Sequence, residues 1–163
     1  MKLVIKKGRT SVFHMLDFLK FKSSYDADIF VTESMFYTDD SCDSGWSKLW
    51  GISLGHIHWN NSYRIVYRIV KGQMWIGYYA YIGGVSPQVN KDFKGVLLKG
   101  VEIGEKLFFS IKFNEENVVI CIISGYNKYE ATLPLPTGFN FPITKCYPNI
   151  KCPASSDIIF DFS

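Results

Sequence analysis

The sequence predicts an all-β protein of antiparallel strands, a sandwich or barrel with little helix. Three observations predict it. Aromatic residues make up 17% of the chain, and such side chains fit a pleated, half-buried surface better than a helix. Short apolar or alternating runs recur between Gly, Asn, Asp and Pro at roughly 8–15-residue spacing. No segment holds a helical period for long. With 47% hydrophobic and 20% charged residues, disorder is excluded as the main state. A chain of this length buries about 69% of its extended surface, enough for one core and too little for two. No repeat or low-complexity linker divides it, so one domain over residues 1–163 is expected, with 1–22 as a candidate N-terminal extension.

At the N-terminus, Leu3-Val4-Ile5 is cut short by Lys6-Lys7-Gly8-Arg9. That run is too brief for the apolar core of a secretory signal, and no stretch approaches the ~20 residues of a membrane span. The expectation is a protein made in the cytosol without a signal peptide and without membrane insertion. Between Ser11 and Lys22, Val12, Met15, Leu16 and Leu19 fit a helical face while Phe13, Phe18 and Phe21 fall elsewhere, so helix and strand stay equally open.

The clearest element is a hairpin. Tyr63 to Val70 alternates, Lys71-Gly72 turns, and Gln73 to Ile82 alternates again. A two-residue X-Gly loop predicts a type I′ turn, although Asn or Asp suits its first position better than Lys. The turn sets the register. One face pairs Ile69 with Met74, Tyr67 with Ile76 and Ile65 with Tyr78, and belongs in the core. The other pairs Arg68 with Trp75, Val66 with Gly77 and Arg64 with Tyr79, which predicts cross-strand cation–π pairs on a wetter surface.

A second hairpin runs from Lys106 to Phe113, through the loop Asn114-Glu115-Glu116-Asn117, into Val118 to Ile123. The return strand is apolar on both faces and reads as interior. Gly125-Tyr126-Asn127-Lys128 then turns into Tyr129 to Leu133, which Pro134, Pro136, Gly138 and Pro142 bring to an end. Asp157 to Phe162 reads as a last strand that pairs back into a sheet. In all, ten to twelve strands are expected.

Cys42, Cys121, Cys146 and Cys152 allow three pairings. Cys121 lies in the run Val118 to Ile123 and reads as a buried thiol. Cys146 and Cys152 are close enough to bridge a loop, which a reducing cytosol disfavours. No C-x-x-C occurs, so a zinc ribbon is not expected.

The run from Gly45-Trp46-Ser47-Lys48-Leu49-Trp50-Gly51 through Gly55-His56-Ile57-His58-Trp59-Asn60-Asn61 to Arg64, and the ending Tyr147-Pro148…Cys152-Pro153-Ala154-Ser155-Ser156-Asp157-Ile158, resemble a group of small proteins of gut-type bacteria and their phages. That group has a lectin-like, concanavalin A-like jelly-roll layout. The matching segments cover about a third of the chain. Asn149-Ile150-Lys151-Cys152 stands where the pattern is glycine-rich, so the likeness stops at that loop. The resemblance implies a two-sheet sandwich and glycan recognition, and it supplies no catalytic residue.

The candidate ligand face carries Arg64, Arg68, Gln73, Trp75, Tyr79 and Tyr81, with Gly77 leaving a gap at its middle. Sugars stack C–H faces on aromatic rings and hydrogen-bond to Arg and Gln. The competing readings are cover by another segment of the chain and packing on a neighbouring subunit. His56, His58, Trp59 and Asn60 are a second set of candidate ligand contacts, against a plain hydrogen-bonded role. Two His at i and i+2 share a strand face, but only His14 is left as a third, and a metal is not expected. The acidic loop Asp39-Asp40-Ser41-Cys42-Asp43 has calcium-type oxygens without the spacing of a calcium loop, and reads as a solvated turn.

No G-x-S-x-G, H-E-x-x-H or P-loop is present, and no carboxylate pair stands out on one face, so an enzyme is not expected and no cofactor is called for. The net charge of +3 is too small and too dispersed to predict a nucleic-acid partner. The expected activity is lectin-like glycan binding. The alternative is a structural or decoration protein of a phage particle, a virion component or homo-oligomer using the same face to pack on a neighbour.

Overall fold

A computed structural model describes residues 1–11, 18–19, 22–36, 45–55, 59–137, 143–150, 154 and 157–162. Among them it is an all-β sandwich of two six-stranded antiparallel sheets. The first sheet joins β1 (Lys2–Ile5), β3 (Ser24–Phe30), β8 (Lys106–Phe113), β9 (Asn117–Ser124), β10 (Asn127–Pro134) and β12 (Ile158–Phe162), in the order β1-β12-β3-β8-β9-β10. The second joins β2 (Phe18–Leu19), β4 (Ser47–Leu54), β5 (Ser62–Val70), β6 (Gln73–Tyr81), β7 (Lys94–Val101) and β11 (Ile143–Cys146), in the order β2-β11-β4-β5-β6-β7. Single 3₁₀ turns at Glu33–Phe36 and Lys91–Phe93 are the helical segments among the described residues. No described helix is long and apolar enough to cross a membrane.

Alternation decides which side chains meet between the sheets. Ile29, Leu107, Phe109, Ile111, Ile120, Ile122 and Phe160 face inward from the first sheet, against Ile52, Tyr63, Ile65, Tyr67, Met74 and Ile76 from the second, and all are fully buried. The Tyr67 ring meets Phe160 edge-on at 6.3 Å across the layer. Tyr63 donates from its hydroxyl to the Pro134 carbonyl at 2.6 Å, the partner that a buried phenol requires.

The predicted β5–β6 hairpin is present in the predicted register, with Arg68 opposite Trp75 and Ile65 opposite Tyr78. Lys71 has φ of 50° and Gly72 of 75°, the two left-handed residues that a type I′ turn demands. The interior position of β9 and the return of the last strand also match expectation, since β12 pairs with both β1 and β3. The β8–β9 ladder closes on the expected four-residue loop Asn114–Asn117, with Phe113 opposite Val118, while β9–β10 closes on the shorter turn Gly125-Tyr126, because Asn127 already pairs with Ser124.

Of the ambiguous Ser11–Lys22 stretch, Phe18 and Leu19 form strand β2 beside β11; residues 12–17 and 20–21 lie outside the described set. So do Cys42, Cys152 and the acidic loop Asp39 to Asp43. Cys121 and Cys146 are buried free thiols.

Candidate functional site

The strands of the second sheet contain no Asp or Glu, and they carry Lys48, Arg64, Arg68, Lys94, Lys99 and Lys145. In the first sheet the strand cations are matched by Asp26, Asp28, Glu130 and Asp161. The described ion pairs follow this split. Lys2–Asp161, Lys6–Asp157, Lys106–Asp28 and Lys128–Glu130 all belong to the first sheet or its flanks. Strand charge is therefore segregated by sheet among the described residues, where the sequence predicts it dispersed.

A bulge in β4 shapes the outer face. Ser47 pairs with Tyr67 and Lys48 with Val66, and the register then shifts, so that Trp50 pairs with Ile65 and Gly51 with Arg64. The extra residue lets Leu49 and Trp50 both bury inward. It leaves Lys48 and Gly51 on the outer side, beside Val66 and Arg64. Gly51 has to be glycine there, because a Cβ would overlap the Tyr63 carbonyl. Asn149 bonds Lys48 through both backbone groups, at 2.7 and 2.8 Å, and so extends the sheet past β11.

Two linked arrangements result. At the turn end of the hairpin, the Arg68 guanidinium carbon lies 4.6 Å from the Trp46 ring centre and 4.9 Å from that of Trp75. The Lys99 ammonium stands 4.4 Å from the Trp75 ring. Nearer the middle is a cavity of about 330 Å³ with Val66 at its floor and Trp46, Lys48, Tyr79, Gln88 and Lys94 around it. Gly45 and Asn149 complete its rim. Gln88 Nε2 donates to the Tyr79 hydroxyl at 2.6 Å, and the Tyr79 and Tyr81 rings meet at 5.7 Å. Lys48 Nζ lies 5.8 Å from the Tyr79 ring centre.

The electrostatics follow from burial with no carboxylate counter-charge among the described residues of the site. Burial lowers the Lys48 pKa, and the Arg64 charge lowers it further. Burial pushes Tyr79 up to about 12, with Tyr81 adding to the shift and the Gln88 donor opposing it. Burial also raises the Cys146 thiol, against the pull of Arg64 and Lys48. Arg64 is only 7% exposed. Its Nε, the Arg68 Nε and the Trp75 Nε1 are buried and reach no acceptor among the described residues.

Several expectations about this face need correction. It is not uniformly wet: Arg64 and Val66 are buried, while Arg68, Trp75, Tyr79 and Tyr81 are half-buried. Gly77 leaves no open gap, since the Gly95 carbonyl and the Trp46 ring close over it. Gln73 is exposed at the start of β6, beside the turn. Trp59 and Asn60 are exposed on the β4–β5 connection, where the Asn60 carbonyl accepts from Gly84 N–H, and neither lines the cavity. His56 and His58 lie outside the described residues.

The structure therefore brings Arg64, Arg68, Trp75 and Tyr79 onto one face and adds residues the sequence reading missed: Trp46, Lys48, Gln88, Lys94 and Lys99. Trp46 and Lys48 stood in the run that carried the resemblance. Nothing local in the sequence marks Gln88 or Lys94. No protein-family model matches the chain, and no curated protein matches it.

Proposed function

We propose that this protein is a non-catalytic binding module that recognises glycan through the outer face of its second sheet. The observation that carries the reading is the walled cavity between Trp46, Lys48, Tyr79, Gln88 and Lys94. Its volume of about 330 Å³ is at the lower end of the ~300–1,000 Å³ typical of small-molecule sites. Ring faces, an amide and ammonium groups around an apolar floor are the chemistry that sugar C–H faces and hydroxyls require. A jelly-roll, lectin-like layout accords with this role. Its support is the interleaving of early and late strands, β1-β12-β3 in one sheet and β2-β11-β4 in the other.

A second reading, packing of the same face on a neighbouring subunit of a particle, draws support from Val96. This residue is 37% exposed on β7 and pairs with Gly77 beside Trp75. One experiment separates the two. The protein is screened on a glycan array, hits are titrated by tryptophan fluorescence, and its native mass is measured in solution. Saturable binding that Tyr79→Ala abolishes, with the native circular dichroism retained, supports the module. An assembled species with no glycan response in any titration overturns it in favour of subunit packing.

A further inference from the structure

We infer that the glycan is acidic, with a carboxylate or sulfate group seated between Lys48 and Lys94; this rests on the reading of the cavity as a glycan site. Lys48 reaches the cavity from β4 and Lys94 from the start of β7, and among the described residues no Asp or Glu lines it. Arg64 adds its charge from the neighbouring row, where it is paired with Tyr79 and Gly51. A folded chain usually neutralises buried cations with its own carboxylates. This chain places the described ion pairs on the other sheet. A ligand anion supplies the counter-charge that the described residues around the cavity lack, and gains a charge-assisted hydrogen bond at the moment it lowers the cost of burying Lys48. The neutral part of the sugar then has Trp46, Val66 and Tyr79 to lie against.

A nucleic acid fits less well. Arg64 is buried, and Arg68 is held between two indole rings. Neither is free to follow a phosphate backbone, which takes a row of exposed cations.

The test is calorimetric titration of the full chain with four saccharides: polygalacturonate oligomers, the same oligomers as methyl esters, a sulfated galactan and its desulfated form. A single-stranded oligonucleotide serves as the fifth arm. The expected result is binding of at least one acidic saccharide and at least ten-fold weaker binding of the neutral ester or of a desulfated galactan. That binding weakens about ten-fold between about 0.05 M and about 0.5 M salt. Lys48→Met and Lys94→Met each weaken it about ten-fold, the loss of one charge-assisted contact. Lys112→Met, on the first sheet, leaves it unchanged.

Equal binding of acid and neutral forms, or insensitivity to salt and to both lysine substitutions, overturns the acidic-ligand inference and leaves the glycan reading standing. Binding of neither acidic nor neutral saccharides on a broad panel overturns both. An oligonucleotide bound more tightly than any saccharide overturns the choice of partner.

Discussion

The Arg68 guanidinium carbon stands 4.6 Å from the centre of the Trp46 ring, and this contact holds the segment before β4 down over the β5–β6 hairpin. Trp75 meets the guanidinium at 4.9 Å, so the cation lies between two indoles and two parts of the chain. Because Trp46 is also a wall of the cavity, its position shapes the site as well as the fold. Trp46→Ala should cost about 2 kcal/mol, as befits a half-buried indole. A double-mutant cycle with Arg68→Met should return a coupling of about 1 kcal/mol. Urea midpoints for the four proteins measure it, and additivity within error would show that the contact carries no energy.

Gly77 is closed in by the Gly95 carbonyl and by Trp46. Gly77→Ala therefore has to displace backbone on one side and the indole on the other. A loss of about 3 kcal/mol or more is expected, of the kind produced by overpacking. Equilibrium unfolding measures the loss, and a change below 1 kcal/mol would mean that β7 sits further from β6 than described.

The hairpin turn offers a gain. Lys71 holds a φ of 50°, a conformation that costs a lysine more than an asparagine. Lys71→Asn should stabilise the protein by about 0.5 kcal/mol. A thermal midpoint that fails to rise would show that the turn does not limit stability.

The pH dependence has two opposed parts. Tyr79 titrates at about 12, pushed up chiefly by burial and then by Tyr81, and burial drives Tyr63 upward too. In the unfolded chain both titrate near 10. Their contribution is thus complete below pH ~10 and disappears as pH climbs through the folded values. Lys48 acts in the other direction. Its folded pKa is lowered, so the unfolded chain binds more protons and stability rises with pH until its ordinary value near 10.4 is passed. Unfolding midpoints followed across the alkaline range should rise, then fall. Lys48→Met should remove the rise, and Tyr79→Phe should reduce the fall. Unchanged profiles in both variants would rule out these groups as its source.

Much of the architecture could be read directly from the chain. Lys71-Gly72 fixes the hairpin register because two residues of turn leave one in-register pairing, and alternation then sorts Tyr67 and Ile76 from Arg68 and Trp75. The same local logic identifies β9 as interior, since Val118 to Ile123 is apolar on both faces.

The site is a different matter. Whether Arg64 is wet or buried depends on the strands either side of it, with Gly51 opposite on β4 and Tyr79 opposite on β6, and the bulge at Leu49 sets which part of β4 lies there. Gln88 and Lys94 come from the β6–β7 connection and the start of an edge strand, and no periodicity ties them to Tyr79. Residue order alone determined the strand class, the hairpin and its two-sided character, because those rest on interactions between near neighbours and on period-two geometry. Only the tertiary structure decided that, among the described residues, the strand carboxylates lie in one sheet and the other sheet's strands carry cations alone. Charge balance is a property of a surface, and a surface is assembled from strands far apart in the chain.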